Sequence, residues 1–142
     1  MKDNLDRFTD AQDRNYRDAL AEIRNGHKRT HWMWYVFPQI QGLGNSEWAQ
    51  FYALVDAQEA RDYLSHPVLG ARLLEICQVL LGLASSDAHA IFGSPDDLKL
   101  KSSMTLFASL GASPVFQQVL DKFYGGVQDE KTLRILAASA NS

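Results

Sequence analysis

The chain has 142 residues, 46% of them hydrophobic and 22% charged, with a formal net charge of −3. Such figures fit one globular domain over residues 1–142 with a core of its own, and the acidic balance is the wrong sign for a general nucleic-acid binder, although a few cations still suffice to set the field of one cleft. A single cysteine, Cys77, excludes an intramolecular disulfide and a thiolate metal cluster. The start of the chain lacks the apolar stretch of a signal peptide, and the longest apolar run, residues 32–37, is far shorter than the ~20 residues of a bilayer span. A cytoplasmic protein with no membrane partner is therefore expected.

Helix punctuation runs the length of the sequence. Tyr16, Leu20 and Ile23 recur at helical spacing and Gly26 follows as a C-cap, so the first helix begins near Leu5 or Asp10 and ends about Asn25. Residues 32–37 are too few for periodicity to separate helix from strand, and are read as helix. Trp48, Phe51, Tyr52 and Val55 again recur at helical spacing, with Asn45 or Ser46 as N-cap. Asp56 and Glu59 form a capping-box variant opening a short helix that ends at His66, before Pro67.

Pro67 suits the first turn of what reads as the longest helix, 67–83, with Leu69, Leu73, Ile76, Leu80 and Leu83 on one stripe and Cys77 widening it. Ser86 is the expected cap of a short helix stopped by Gly93. Ser94, Pro95, Asp96 and Asp97 combine an N-cap, a proline at the first position and two carboxylates for the next helix, which Gly111 ends. Ser113 and Pro114 repeat the device up to Gly125, and a last helix covers about 129–138 through Leu133 and Leu136. The fold class is all-α: seven or eight helices of unequal length in a non-bundle array around the helix at 67–83.

Chemistry concentrates between Gly26 and Ser46. His27, Lys28, Arg29 and His31 offer cations and imidazoles for a phosphate or carboxylate, with His31 the one candidate for a general acid or base. A solvated loop complementing the negative end of the first helix, with His31 partly buried in a structural hydrogen bond, accounts for the same residues. Trp32, Trp34, Tyr35 and Phe37 suit a core, and one indole at a pocket wall also suits stacking. Gln39 and the turn at 42–46, with Gly42, Gly44 and Ser46, permit close backbone approach, but lack the third glycine and preceding strand of a dinucleotide fingerprint.

Lys99, Ser102 and Ser103 form a second polar group. Asp96 pairs with Lys99 and Asp97 with Lys101 at helical spacing, and the serines fit either a helix crossing or a ligand. Cys77 reads as a small core residue. His66 and His89 stand alone, and His27 and His31 straddle a helix end, so no metal site and no cofactor is expected.

Three strings are specific: Lys28-Arg29-Thr30-His31-Trp32-Met33-Trp34-Tyr35-Val36-Phe37-Pro38-Gln39; His66-Pro67-Val68-Leu69-Gly70; and Ile91-Phe92-Gly93-Ser94-Pro95-Asp96-Asp97-Leu98-Lys99-Leu100-Lys101-Ser102-Ser103-Met104-Thr105-Leu106-Phe107. With them the chain, from about residue 5 to 136, resembles the uncharacterised family of unknown function numbered eighteen-ten, sometimes mislabelled calpastatin. The resemblance implies a mainly helical single domain and supplies no activity.

Three functions follow as expectations. The first is a domain that binds a phosphate-bearing or nucleotide-like small molecule through His31, Trp34, Gln39, Gly42, Gly44 and Ser46 on one wall and Lys99 and Ser103 on the other. The second is a hydrolase or transferase on such a ligand with His31 as acid or base. The third is a protein-interaction or structural domain without a pocket, marked by an exposed apolar patch.

Overall fold

Apolar stripes at helical spacing have to find one another, and the arrangement that results is helices alone. A computed structural model describes residues 5–140. Among them lie nine helices and no strand: α1 (Asp6–Arg24), α2 (Met33–Val36), α3 (Glu47–Phe51), α4 (Ala57–Ser65), α5 (Leu69–Gly82), α6 (Ala88–Phe92), α7 (Asp96–Ser109), α8 (Val115–Tyr124) and α9 (Glu130–Ala140). The count exceeds the expected seven or eight by one or two, and α2, α3 and α6 are each about one turn long. Residues 32–37 are thus helical at their centre, as read.

Leu69, Leu73, Ile76, Cys77 and Leu80 bury the inner face of α5, which packs against α1, α4 and α8. A second inner helix, α7, packs against α4, α6, α8 and α9. Cys77 Sγ lies 3.7 Å from Met104 Sδ where the two meet in the core. The longest helix is α1, with 19 residues against 14 in α5, because the stripe of α1 continues upstream through Phe8 and Ala11. No single helix among the described residues is long and apolar enough to cross a membrane.

Two contacts fix α5 at its ends. At the start, a Cβ on Gly70 would fall 1.9 Å from the Leu64 carbonyl oxygen, so only glycine lets α4 and α5 approach this closely. At the end, Lys122 of α8 donates through Nζ to the carbonyls of Leu80 and Leu81, each at 3.0 Å, and to that of Leu83. A cation there satisfies carbonyls the helix leaves open and complements its negative end.

Several caps differ from expectation. Ser46 and Asp56 do cap, accepting from the amides of Ala49 (3.1 Å) and Glu59 (2.8 Å). Glu59 reaches back one residue further than a capping box, to the Val55 amide at 3.0 Å, while pairing with Arg7 at 3.1 Å. Helix α5 starts at Leu69, not Pro67, because His66 Nδ1 takes the amides of Val68 and Leu69 at 3.1 and 3.2 Å. Asp87 replaces Ser86 as the cap of α6, accepting from the Ala90 amide at 3.1 Å. Ser94 does not cap α7: the flanking position falls on Pro95, and the Asp97 amide goes to the Gly93 carbonyl at 2.9 Å.

The largest departure is at α3. The helix stops at Phe51, so the helical repeat never reaches Val55, and Trp48, Phe51 and Val55 are all exposed. The chain instead extends alongside residues 39–41, with the Leu54 amide on the Gln39 carbonyl (2.9 Å) and the Gln41 amide on the Leu54 carbonyl (2.8 Å). Tyr52 is the member of the stripe that turns inward.

Candidate functional site

The segment between α1 and α2 winds around one carboxylate. Glu22 of α1 is buried; its Oε1 accepts from the amides of Arg29 (2.7 Å) and Thr30 (2.9 Å) and from Trp32 Nε1 (2.9 Å), and its Oε2 from Thr30 Oγ1 (2.6 Å). Burial alone would raise this carboxyl, but the donors of Thr30, Arg29 and Trp32 outweigh it and hold the group down at about 2. The clamp delivers Trp32 into the core, 6.1 Å from Phe37 and 6.4 Å from Phe92 between ring centres. Tyr35 and Phe37 are buried as well, so of the four aromatics in this run only Trp34 is left half-buried at the surface.

Across from Trp34 stands the first turn of α7. Asp96 pairs with Lys28 at 2.9 Å through one oxygen and with Lys99 at 3.3 Å through the other. The Lys99 ammonium rests 3.5 Å from the centre of the Trp34 ring, within the range where a cation is drawn to an aromatic face. Lys28 is fully engaged, donating also to the Thr30 carbonyl at 2.6 Å and lying 5.1 Å from the Trp32 ring. The stretches around 27–46 and 99–103 therefore meet in space.

Between them opens a cleft of about 490 Å³. Trp34 and Gln39 form one side with Leu43 and the turn at 44–46; Leu98, Lys99 and Ser102 of α7 form the other; Asp129 and Lys131, at the start of α9, close the end. Asp129 is held as the cap of α9: its Oδ2 accepts from the Thr132 amide (2.9 Å) and hydroxyl (2.6 Å), and its own amide donates to Thr105 Oγ1 at 2.9 Å. Lys131 is exposed, and the side-chain amides of Gln39 and Asn45 make no hydrogen bond among the described residues.

Of the residues expected to bind a ligand, Trp34, Gln39, Gly44, Ser46 and Lys99 line this cleft. His31 does not: its side chain is exposed instead of partly buried, and only its carbonyl is engaged, by the Tyr35 hydroxyl at 3.2 Å. Gly42 also lies outside and is exposed; its φ of +106° favours glycine, and a Cβ there would come 3.3 Å from Ile135 Cδ1 of α9. Ser103 is wholly buried and its Oγ has no hydrogen-bond partner among the described residues, whereas Ser102 faces the cleft and donates to the Leu98 carbonyl at 3.1 Å. One residue along a helix turns the side chain by about 100°, which separates the two serines.

Ser46 lines the wall while its hydroxyl caps α3. The expected Asp97–Lys101 pair is replaced by Asp97 with His89, at 3.4 Å. Sequence reasoning includes Leu43 and Asn45 only as members of the turn at 42–46, and it does not single out Leu98, Asp129 and Lys131. Only the Asp129–Thr132 cap spacing hinted at the last two, since a cap fixes which residues stand in the first turn.

The model of the family described as "Protein of unknown function (DUF1810)" matches residues 2–136. Among solved structures, the chain is similar to the crystal structure of the conserved hypothetical protein Rv1873 from Mycobacterium tuberculosis, with 47% identity over 94% of this chain and 96% of that one and a TM-score of 0.92. The comparison with curated proteins gave no match. On the strength of a family match that spans nearly its whole length, this chain belongs to the DUF1810 family.

Proposed function

We propose that the protein binds a small phosphate-bearing molecule in the cleft between α2, α7 and the start of α9. The observation that carries this reading is Lys99, a half-buried ammonium held on Trp34 and facing a cavity that also receives Lys131. Two cations from separate helices and uncommitted amides suit a multiply charged oxygen-rich ligand. The volume falls within the ~300–1,000 Å³ typical of ligand pockets.

Catalysis is less well supported than binding. His31, the one candidate acid or base, stands outside the cleft, and the Asp129 carboxylate inside it is occupied as a helix cap. Isothermal titration and thermal shift against a panel of sugar phosphates and nucleotides test the proposal. A ligand at about 100 times its Kd stabilises the fold by about 2.7 kcal/mol; no binding by any phosphate compound overturns it.

The exposed apolar face of α3 supports a second reading, a protein contact. Trp48 and Phe51 are 56% and 59% exposed and border a recess of about 340 Å³ with Glu47 and Tyr52. Large aromatics grouped at the surface mark interaction sites. Light scattering across a concentration series reads self-association directly, and a W48S/F51S variant that leaves an observed assembly intact would count against this face.

A further inference from the structure

We infer that the molecule taken by the cleft is a nucleoside phosphate and not a bare sugar phosphate; the inference rests on the phosphate-binding reading above. A site for phosphate alone needs cations and hydrogen-bond donors, and it gains nothing from apolar walls. This cleft has such walls. Leu98 stands 60% exposed on the first turn of α7, at a position where a solvent-facing helix surface would be polar, and Leu43 meets the same cavity from the loop after α2. Two aliphatic side chains from separate elements match the faces of a flat heteroaromatic ring.

One face of the Trp34 ring is taken by the Lys99 ammonium at 3.5 Å, which keeps that cation at the cleft and leaves the leucines to receive the base. Base and phosphate therefore have different partners: leucines for the ring, Lys99 and Lys131 for the anion. Gln39 and Asn45 complete the match. Each amide carries a donor and an acceptor side by side, the pairing that reads a base edge or a pair of ribose hydroxyls, and neither is used within the described residues.

Titration of the full chain with AMP, GMP, CMP and UMP, and with ribose 5-phosphate and inorganic phosphate, tests this. At least one nucleotide is expected to bind about tenfold or more tightly than ribose 5-phosphate. L98S, at an exposed position, is expected to shrink that ratio severalfold. Ribose 5-phosphate binding as tightly as every nucleotide overturns the nucleotide inference while leaving the phosphate site standing. A ratio unchanged in L98S removes the apolar wall from the argument and overturns it also. Failure of all six probes to bind defeats the phosphate-binding reading itself.

Discussion

Lys99 and Trp34 meet face-on, ammonium to indole at 3.5 Å, although neither lies near the other in the chain. The contact is reinforced from behind by Asp96, which holds the same ammonium at 3.3 Å and Lys28 at 2.9 Å. A cation in that setting is positioned before any ligand arrives, so little rotamer entropy remains to be lost on binding.

Lys99→Met keeps the aliphatic stem over Trp34 and removes the charge. Affinity for a phosphate-bearing ligand should fall tenfold or more, roughly 1.4 kcal/mol or above. Stability should change by about 1 kcal/mol or less, since ion pairs and cation–π contacts near the surface contribute little. Titration and urea unfolding of the same variant separate the two effects.

Glu22 makes the fold sensitive to acid. Its folded carboxyl sits at about 2, below the unfolded value of 4.5, so its contribution is complete above pH 4.5 and is lost as pH falls toward 2. The shift corresponds to a contribution on the order of 3 kcal/mol. Glu22→Gln should be less stable than wild type by about 1.5–3 kcal/mol at pH 7, and the two stability curves should converge between pH 4.5 and 2. Urea unfolding across that range checks it.

Gly70→Ala places a methyl 1.9 Å from a backbone oxygen and 2.8 Å from the carbonyl carbon of Leu64. Neither atom belongs to a flexible side chain, so α4 and α5 must move apart. A loss of about 3 kcal/mol or more is expected, at the upper end of overpacking effects. A thermal melt of the variant is sufficient to see it.

His66→Ala removes the acceptor for two amides at the entrance of α5 and should destabilise by about 1 kcal/mol. His66→Asn, whose side-chain oxygen accepts in place of Nδ1, should recover most of that loss. Equal destabilisation by both variants in urea titrations would contradict the capping role.

The helices were legible because their ends carry local chemistry: Ser46 and Asp56 cap as read, and Gly26, Gly93, Gly111 and Gly125 all adopt positive φ at helix ends. The faces were less legible. Trp48, Phe51 and Val55 have the spacing of a buried stripe, yet the helix stops at Phe51 because its continuation pairs with residues 39–41, a decision made by tertiary contact. Ser102 and Ser103 differ by one residue along α7, and that step separates a cleft wall from the interior; α7 is buried nearly all round from Ser102 to Phe107, so no local pattern says which side meets a cavity. Lys131 and Leu98 were invisible for the same reason: each reads as ordinary surface until another segment faces it.

The cleft takes its walls from residues 34–49, 95–102 and 129–131, that is, from early, middle and late parts of the chain. Any occupant would staple these together, and its binding energy would be felt wherever opening of the cleft requires one of them to detach. Amide exchange should then slow not only beside the occupant but through α7 and into α9, giving a cooperative fingerprint of occupancy readable without knowing the occupant's chemistry.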